Sequence, residues 1–138
     1  MFYQDKTLQN KIHGAKFLGF TRKDESTIRI TTDRGIISVN VSGDCCSHSI
    51  FYDVVVPEEC FGAEITGFDT WDRESPAPTE EQVIAKAKEV AGWEVDTAYE
   101  CLSIWDVKLQ TTNGTIYLRH VNSSNGYYDG IVGINCDF

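Results

Sequence analysis

The dipeptide Asn113-Gly114 stands between two runs rich in β-branched and aromatic residues, Glu100 to Thr111 and Thr115 to Val121, and nothing else in the chain narrows the fold as much. Both residues tolerate positive φ, which a tight hairpin turn demands, so the spacing predicts a β-hairpin. A second hairpin is written earlier. Thr27 to Thr32 leads into the tight connection Asp33-Arg34-Gly35, after which Ile37, Val39 and Val41 alternate with Ser38, Asn40 and Ser42. That period of two gives one apolar and one wet face. The hairpins align at an offset of 80, Ile28 falling on Lys108, and each second strand runs into a small polar loop, Gly43 to Ser47 in one and Ser123 to Tyr127 in the other. Two such units suggest a pseudo-symmetric sheet whose loops emerge at one end.

Ala15 to Arg22 and Ala63 to Trp71 read as further strands, and Ile131 to Ile134 as a closing strand. Gly43 to Phe51 suits a turn leading into a short helix or an irregular segment, and Asn122 to Gly130 a polar loop. The prolines of Glu74 to Pro78 mark another loop. Thr79-Glu80-Glu81-Gln82 has capping-box spacing, Val83, Ala87, Val90 and Ala91 form one apolar stripe behind it, and Gly92 is placed to end the helix. The expectation is one α+β domain over 1–138, an antiparallel sheet built from two pseudo-repeated β-hairpins with one main helix packed on it.

Charge limits the partners. With 21 acidic against 12 basic residues the net charge is -9, a field that repels phosphate backbones and anionic lipid. Direct nucleic-acid and membrane binding are therefore disfavoured, whereas a basic protein surface would be attracted. No apolar run approaches ~18 residues, and the N-terminal residues lack the basic and apolar regions of a signal peptide, so the reading is a cytoplasmic protein. Its five cysteines, Cys45, Cys46, Cys60, Cys101 and Cys136, are an odd number and are expected as reduced thiols.

Two clusters could carry chemistry. Gly43-Asp44-Cys45-Cys46-Ser47-His48-Ser49 offers two thiols, a carboxylate and an imidazole, but adjacent cysteines lack the spacing that places two sulfurs on one zinc ion. A tight turn capped by Asp44 accounts for it equally. The second cluster runs from Arg119 and His120 through Asn122, Ser124, Asn125, Tyr127 and Tyr128. Its amides can form an anion-holding nest and its tyrosines offer flat faces with a hydroxyl tip, suited to a base, sugar or peptide. Asn122 and Asn125 could equally satisfy the loop's own backbone. His120, in register with Ile116 and Leu118, reads as a packed, hydrogen-bonded histidine rather than a base. Walker, G-x-G-x-x-G, H-E-x-x-H and G-x-S-x-G signatures are missing from the sequence. No catalytic residue, metal ligand or cofactor is assigned; the binding residues proposed are Asp44, Cys45, Cys46, Ser47, His48, Arg119, His120, Asn122, Ser124, Asn125, Tyr127 and Tyr128.

At these clusters the chain resembles a family of small proteins, mostly from bacteriophage genomes, with a G-D-C-C-S-x-S segment and an N-S-S-N-G-Y-Y-x-G segment. Here they are Gly43 to Ser49 and Asn122 to Gly130, with departures from the pattern at Ile50 and Asp129. The resemblance implies a phage accessory role in the host cytoplasm. The expectation is a non-enzymatic protein that antagonises a host defence by binding, either blocking a host protein surface or sequestering a small ligand, nucleotide-like among the candidates. Self-association is compatible with it. The rivals are a small enzyme using Cys45 or Cys46 with His48 or His120, with or without a metal, and a structural or assembly protein of the virion.

Overall fold

The computed structural model describes residues 6–42, 47–72, 80–91, 101–124 and 131–138. In chain order these form α1 (Lys6–Ile12), β1 (Phe17–Asp24), β2 (Thr27–Thr32), β3 (Ile36–Ser42), β4 (Ser47–Val55), a 3-10 turn (Glu58–Cys60), β5 (Ile65–Asp72), α2 (Glu80–Ala91), β6 (Cys101–Thr111), β7 (Gly114–Ser124) and β8 (Ile131–Cys136). The strands pair antiparallel in two four-stranded sheets, ordered β1-β2-β3-β8 and β4-β7-β6-β5. The chain is α+β, and each hairpin expected from sequence is present, one at the heart of each sheet.

The strand pattern explains the core. Alternation turns Ile28, Ile30, Ile37, Val39 and Val41 to one side of the first sheet and Val107, Leu109, Ile116 and Leu118 to one side of the second, and these faces merge with Phe17 and Phe51 into one buried cluster. Each such side chain contributes about 1.5–3 kcal/mol on burial. The opposite face of the second sheet carries α2, whose Val83 and Ala87, four residues apart on one stripe, pack on Ile50, Tyr52 and Val121. The main helix thus packs on a sheet through the first half of its stripe, Val83 and Ala87, while Val90 is exposed.

Local composition misleads at three places. Residues 47–55 form an edge strand of the second sheet instead of a short helix or irregular segment, because pairing along β7 overrides their small polar character. Asn122 to Ser124 prolong β7 into what reads as loop. The short α1 was not anticipated: its first turn has no acidic residue and Ile12 is its buried residue, so its signal is faint.

The two halves of the chain repeat one plan. The meanders β1-β2-β3 and β5-β6-β7 each supply three strands of a sheet, and the strand after each meander crosses to complete the other sheet, β4 against β7 and β8 against β3. Equivalence extends to single hydrogen bonds. Phe17 pairs with Thr32 and, past a bulge, Gly19 with Thr31; Ile65 pairs with Thr111 and, past a bulge, Gly67 with Gln110. The halves also clasp each other reciprocally: Phe17 N–H donates to the Ala63 carbonyl at 2.9 Å and Ile65 N–H to the Ala15 carbonyl at 2.7 Å. Gly14 N–H donates to Ile65 and Gly62 N–H to Phe17, at φ values of 87° and 81° that only glycine adopts without strain. Reciprocal bonds of this kind define a pseudo-two-fold axis.

Within the hairpins the true offset is 79, Ile30 matching Leu109 and Gly35 matching Gly114, one less than the 80 that the sequence suggests. Because side chains alternate faces, that one residue decides which of them point inward. The offset of 80 holds only for β4 against β8, where Val54 opposite Leu118 matches Ile134 opposite Val39.

An interior polar cluster where the strands exchange

Alternation along β7 turns Ile116, Leu118, His120 and Asn122 toward the space between the sheets and Tyr117, Arg119 and Val121 away from it. Arg119 therefore does not share a site with His120 and Asn122, although the three are near neighbours in sequence. His120 is completely buried, stacked on its cross-strand partner Trp105 at 5.0 Å between ring centroids and edge-on to Phe51 at 6.1 Å. It is packed, as its register suggests. It is not hydrogen-bonded: neither Nδ1 nor Nε2 has a partner, and Trp105 Nε1 and Asn122 Oδ1 are also buried without one. Asn122 Nδ2 donates to Ser49 Oγ at 2.7 Å, a bond between side chains on paired strands and not the loop self-satisfaction weighed as one alternative.

Nearly all buried polar atoms in folded proteins are paired, and each one left unpaired costs about 1–3 kcal/mol. Four together on one sheet face are therefore a cost that the rest of the fold offsets. Burial pushes the His120 pKa down to about 3, so at neutral pH the ring is uncharged, with one nitrogen to donate and one to accept. Such a ring is too weak a base for the cysteine–histidine catalysis weighed from sequence.

The outer face of the same sheet holds the charges. Arg119 lies between Asp106 of β6 and Asp53 of β4 in the strand register. Asp106 is 3% exposed, and burial lifts its carboxyl above the ordinary range while Arg119 pulls it back. Burial also pushes the Tyr52 hydroxyl up to about 12, with Asp106 adding to the effect and the nearby Arg119 guanidinium opposing it. Neither the Tyr52 hydroxyl nor Arg119 Nε makes a well-formed hydrogen bond. The Arg119 guanidinium and Lys108 Nζ sit 5.9 and 5.7 Å from the centre of the Tyr117 ring. Arg119 thus serves as counter-charge to Asp106 at the edge of the helix-covered patch.

Backbone pairing places the strand ends that flank the two sequence clusters. Ser47 and His48 open β4 opposite Ser124 and Ser123, and Ser42 at the end of β3 faces Ile131 at the start of β8. The four strand ends that flank both clusters therefore lie at one end of the sheets. Asp44, Cys45, Cys46, Asn125, Tyr127 and Tyr128 lie outside the described residues. Sequence reasoning missed Trp105 and Ser49. Trp105 shares the parity of Val107 and Leu109, which, once the register is known, places it on the inner face beside His120. Cys60, by contrast, is structural: it fills the buried position that Ile12 fills in the first half, with Thr111 Oγ1 3.6 Å from its sulfur.

Fold and site together define an internally duplicated α+β protein of two antiparallel sheets that exchange their last strands, with an interior polar cluster in the second half. Comparison with protein-family models, with curated proteins and with solved structures finds no match.

Proposed function

We propose that the protein works by binding: it is a phage accessory protein that antagonises a host defence by sequestering a small ligand at the end of the sheets where the strands exchange. The observation that carries this reading is the cluster of buried, unpartnered hydrogen-bonding atoms on His120, Asn122 and Trp105 beneath those strand ends. A fold keeps such atoms unpaired when something else completes them, and small-molecule sites combine an apolar wall with a few convergent polar groups in this way. The neutral imidazole supports binding over proton transfer. Phage origin and the host-defence target rest on the G-D-C-C-S-x-S and N-S-S-N-G-Y-Y-x-G segments.

The test is native mass spectrometry of the protein purified from host cells under non-denaturing conditions, followed by release and identification of any retained mass. The expected result is a stoichiometric small molecule, and protection of phage from the defence in question when the protein is expressed. A mass equal to the bare chain, together with no effect on any defence, overturns the reading.

A further inference from the structure

The internal duplication brings equivalent residues to equivalent rungs on the outer faces of the two sheets. On the second sheet one rung sets Lys108 between Asp69 and Tyr117, with Val55 beyond, and the next sets Arg119 between Asp106 and Asp53. The matching rungs of the first sheet set Arg29 between Thr21 and Ser38, with Asn135 beyond, and Asn40 between Thr27 and Gly133. Thr21, Thr27 and Gly133 thus stand where the second half has Asp69, Asp106 and Asp53, while Arg29 keeps the positive charge of Lys108. A second cation is added here. The register shift between Arg22 and Asp24, which β5 lacks at the equivalent place, inserts Lys23 into β1.

These rungs form a groove of about 220 Å³ lined by Lys23, Thr27, Arg29, Ser38, Asn40 and Asn135. All six side chains can donate a hydrogen bond, two are cationic and none is acidic or apolar. Glycine at 133 keeps the groove open, since a Cβ there would stand 2.5 Å from Asn40 Oδ1. Two carboxylates border it, one at each end, and both are held by backbone: Asp24 Oδ1 accepts from Ser26 N–H at 2.9 Å and Asp137 Oδ1 from Ile36 N–H at 2.7 Å. Among the described residues no carboxylate is paired with Lys23 or Arg29. In a chain of net charge -9, the first half has shed acids and kept cations on this one face.

We propose that the outer face of the first sheet binds the phosphate group of a small molecule, with Arg29 and Lys23 as its counter-charges and the hydroxyls and amides of Thr27, Ser38, Asn40 and Asn135 as donors to its oxygens. A phosphate offers only acceptors and nearly two negative charges, the complement of this lining. The net charge that repels a long polyanion does not exclude a single group, because nearby charges dominate within the ~8 Å Debye length of physiological salt. The rest of the molecule lies along the adjoining groove of about 340 Å³, which shares Arg29, Ser38 and Asn135 and adds the exposed side chain of Ile36. This face lies on the other side of the first sheet from the core, so the proposal does not depend on the interior cluster of the second half.

The experiment is an amide NMR titration of the full chain with inorganic phosphate, glycerol phosphate and acetate. Both phosphates are expected to give saturable shifts at the amides of Arg29, Ser38 and Asn135, and acetate, with about half the charge, to bind about tenfold more weakly. Tighter binding of the ester identifies a phosphorylated metabolite as the source of the group, and equal binding identifies free phosphate. Arg29→Gln, and Thr21→Asp, which copies the carboxylate of Asp69, are each expected to weaken phosphate about tenfold, the loss of one charge-assisted bond. Lys86→Gln on the exposed side of α2 removes one positive charge elsewhere and is expected to change nothing. All three positions are exposed, so the variants keep the fold, which their amide spectra check. The proposal is overturned by the absence of a saturable response on this face, by acetate binding as tightly as phosphate, or by a response that Arg29→Gln and Thr21→Asp leave intact. An equal loss in Lys86→Gln overturns it too, because the response then reports net charge alone. A ligand retained by Arg29→Gln in native mass spectrometry leaves the strand-end reading standing whatever the titration shows.

Discussion

The two halves of this chain share a backbone and differ in what they put on it. Opposite Asn40 the first half places Thr27, a neutral pair; at the same register the second half sets Asp106 against Arg119. Ser26 and Val41 in one correspond to Trp105 and His120 in the other. Sheet and turn geometry tolerate both sets, so the differences report on demands other than folding. One half is a finished core; the other keeps polar atoms buried without partners. That contrast is what sites under functional demand display when local rules are broken while the surrounding structure keeps them.

The equivalence can be broken most forcefully at the core. Ile30 and Leu109 are matched and fully buried, and Ile30→Ala and Leu109→Ala are each expected to cost about 3 kcal/mol in urea denaturation. A gap of more than ~2 kcal/mol between them would show that the halves are alike in geometry and not in packing. Val41→His carries the second half's anomaly into the first, where nothing is arranged to receive it. It is expected to cost about 2–3 kcal/mol by the same measurement, the usual penalty of an unpaired buried polar group. A loss under ~0.5 kcal/mol would mean that this sheet position accepts an imidazole in either half, and the special status of His120 would disappear.

These substitutions also mark how much of the structure could be read from the sequence. Both hairpins were legible because Asn113-Gly114 and Asp33-Arg34-Gly35 are local signals, and α2 because Val83 and Ala87 fall on one stripe four residues apart; the expected N-cap Thr79 and the terminating Gly92 lie outside the described residues. The swap of β4 and β8 between sheets was not, since it is decided by pairing with strands about 70 and 95 residues away, to which local propensity is blind. The site was half legible. Residue types singled out His120 and Asn122, but their missing partners, and the separation of Arg119 onto the other face, follow from an exact register that one residue of misalignment inverts.

A pH titration sharpens the contrast at a smaller scale. The folded His120 pKa of about 3 lies below the ordinary 6.5, so between those values the unfolded chain holds a proton that the folded one refuses. Stability from this group is complete above about 6.5 and declines as pH falls, with a slope of about 1.4 kcal/mol per unit, reaching about 2 kcal/mol lost at pH 5. Asp106 has the opposite sign, because its folded carboxyl titrates above its unfolded value and its protonation favours the fold. The His120 contribution is therefore read as the difference between wild-type and His120→Val profiles, measured by urea denaturation at pH 7 and pH 5. Parallel profiles would show that the ring is reached by water and protonates freely.

The smallest expected effect lies at the hairpin tips, where the halves agree best. Thr32 Oγ1 donates to the Gly35 carbonyl at 2.7 Å and accepts from the Arg34 and Gly35 N–H groups at 3.1 Å. Thr111 Oγ1 donates to the Gly114 carbonyl at 2.8 Å and accepts from Asn113 N–H at 3.3 Å. Valine keeps the branched shape and removes the hydroxyl, so each variant isolates these bonds. Thr32→Val is expected to cost about 1.5 kcal/mol and Thr111→Val about 1 kcal/mol, the first more because Thr32 is 6% exposed whereas Thr111 is only half-buried. The order matters more than the sizes. If Thr111→Val costs the more, hydrogen bonding at the tips does not scale with the geometry, and the second hairpin depends on its turn in a way that the first does not.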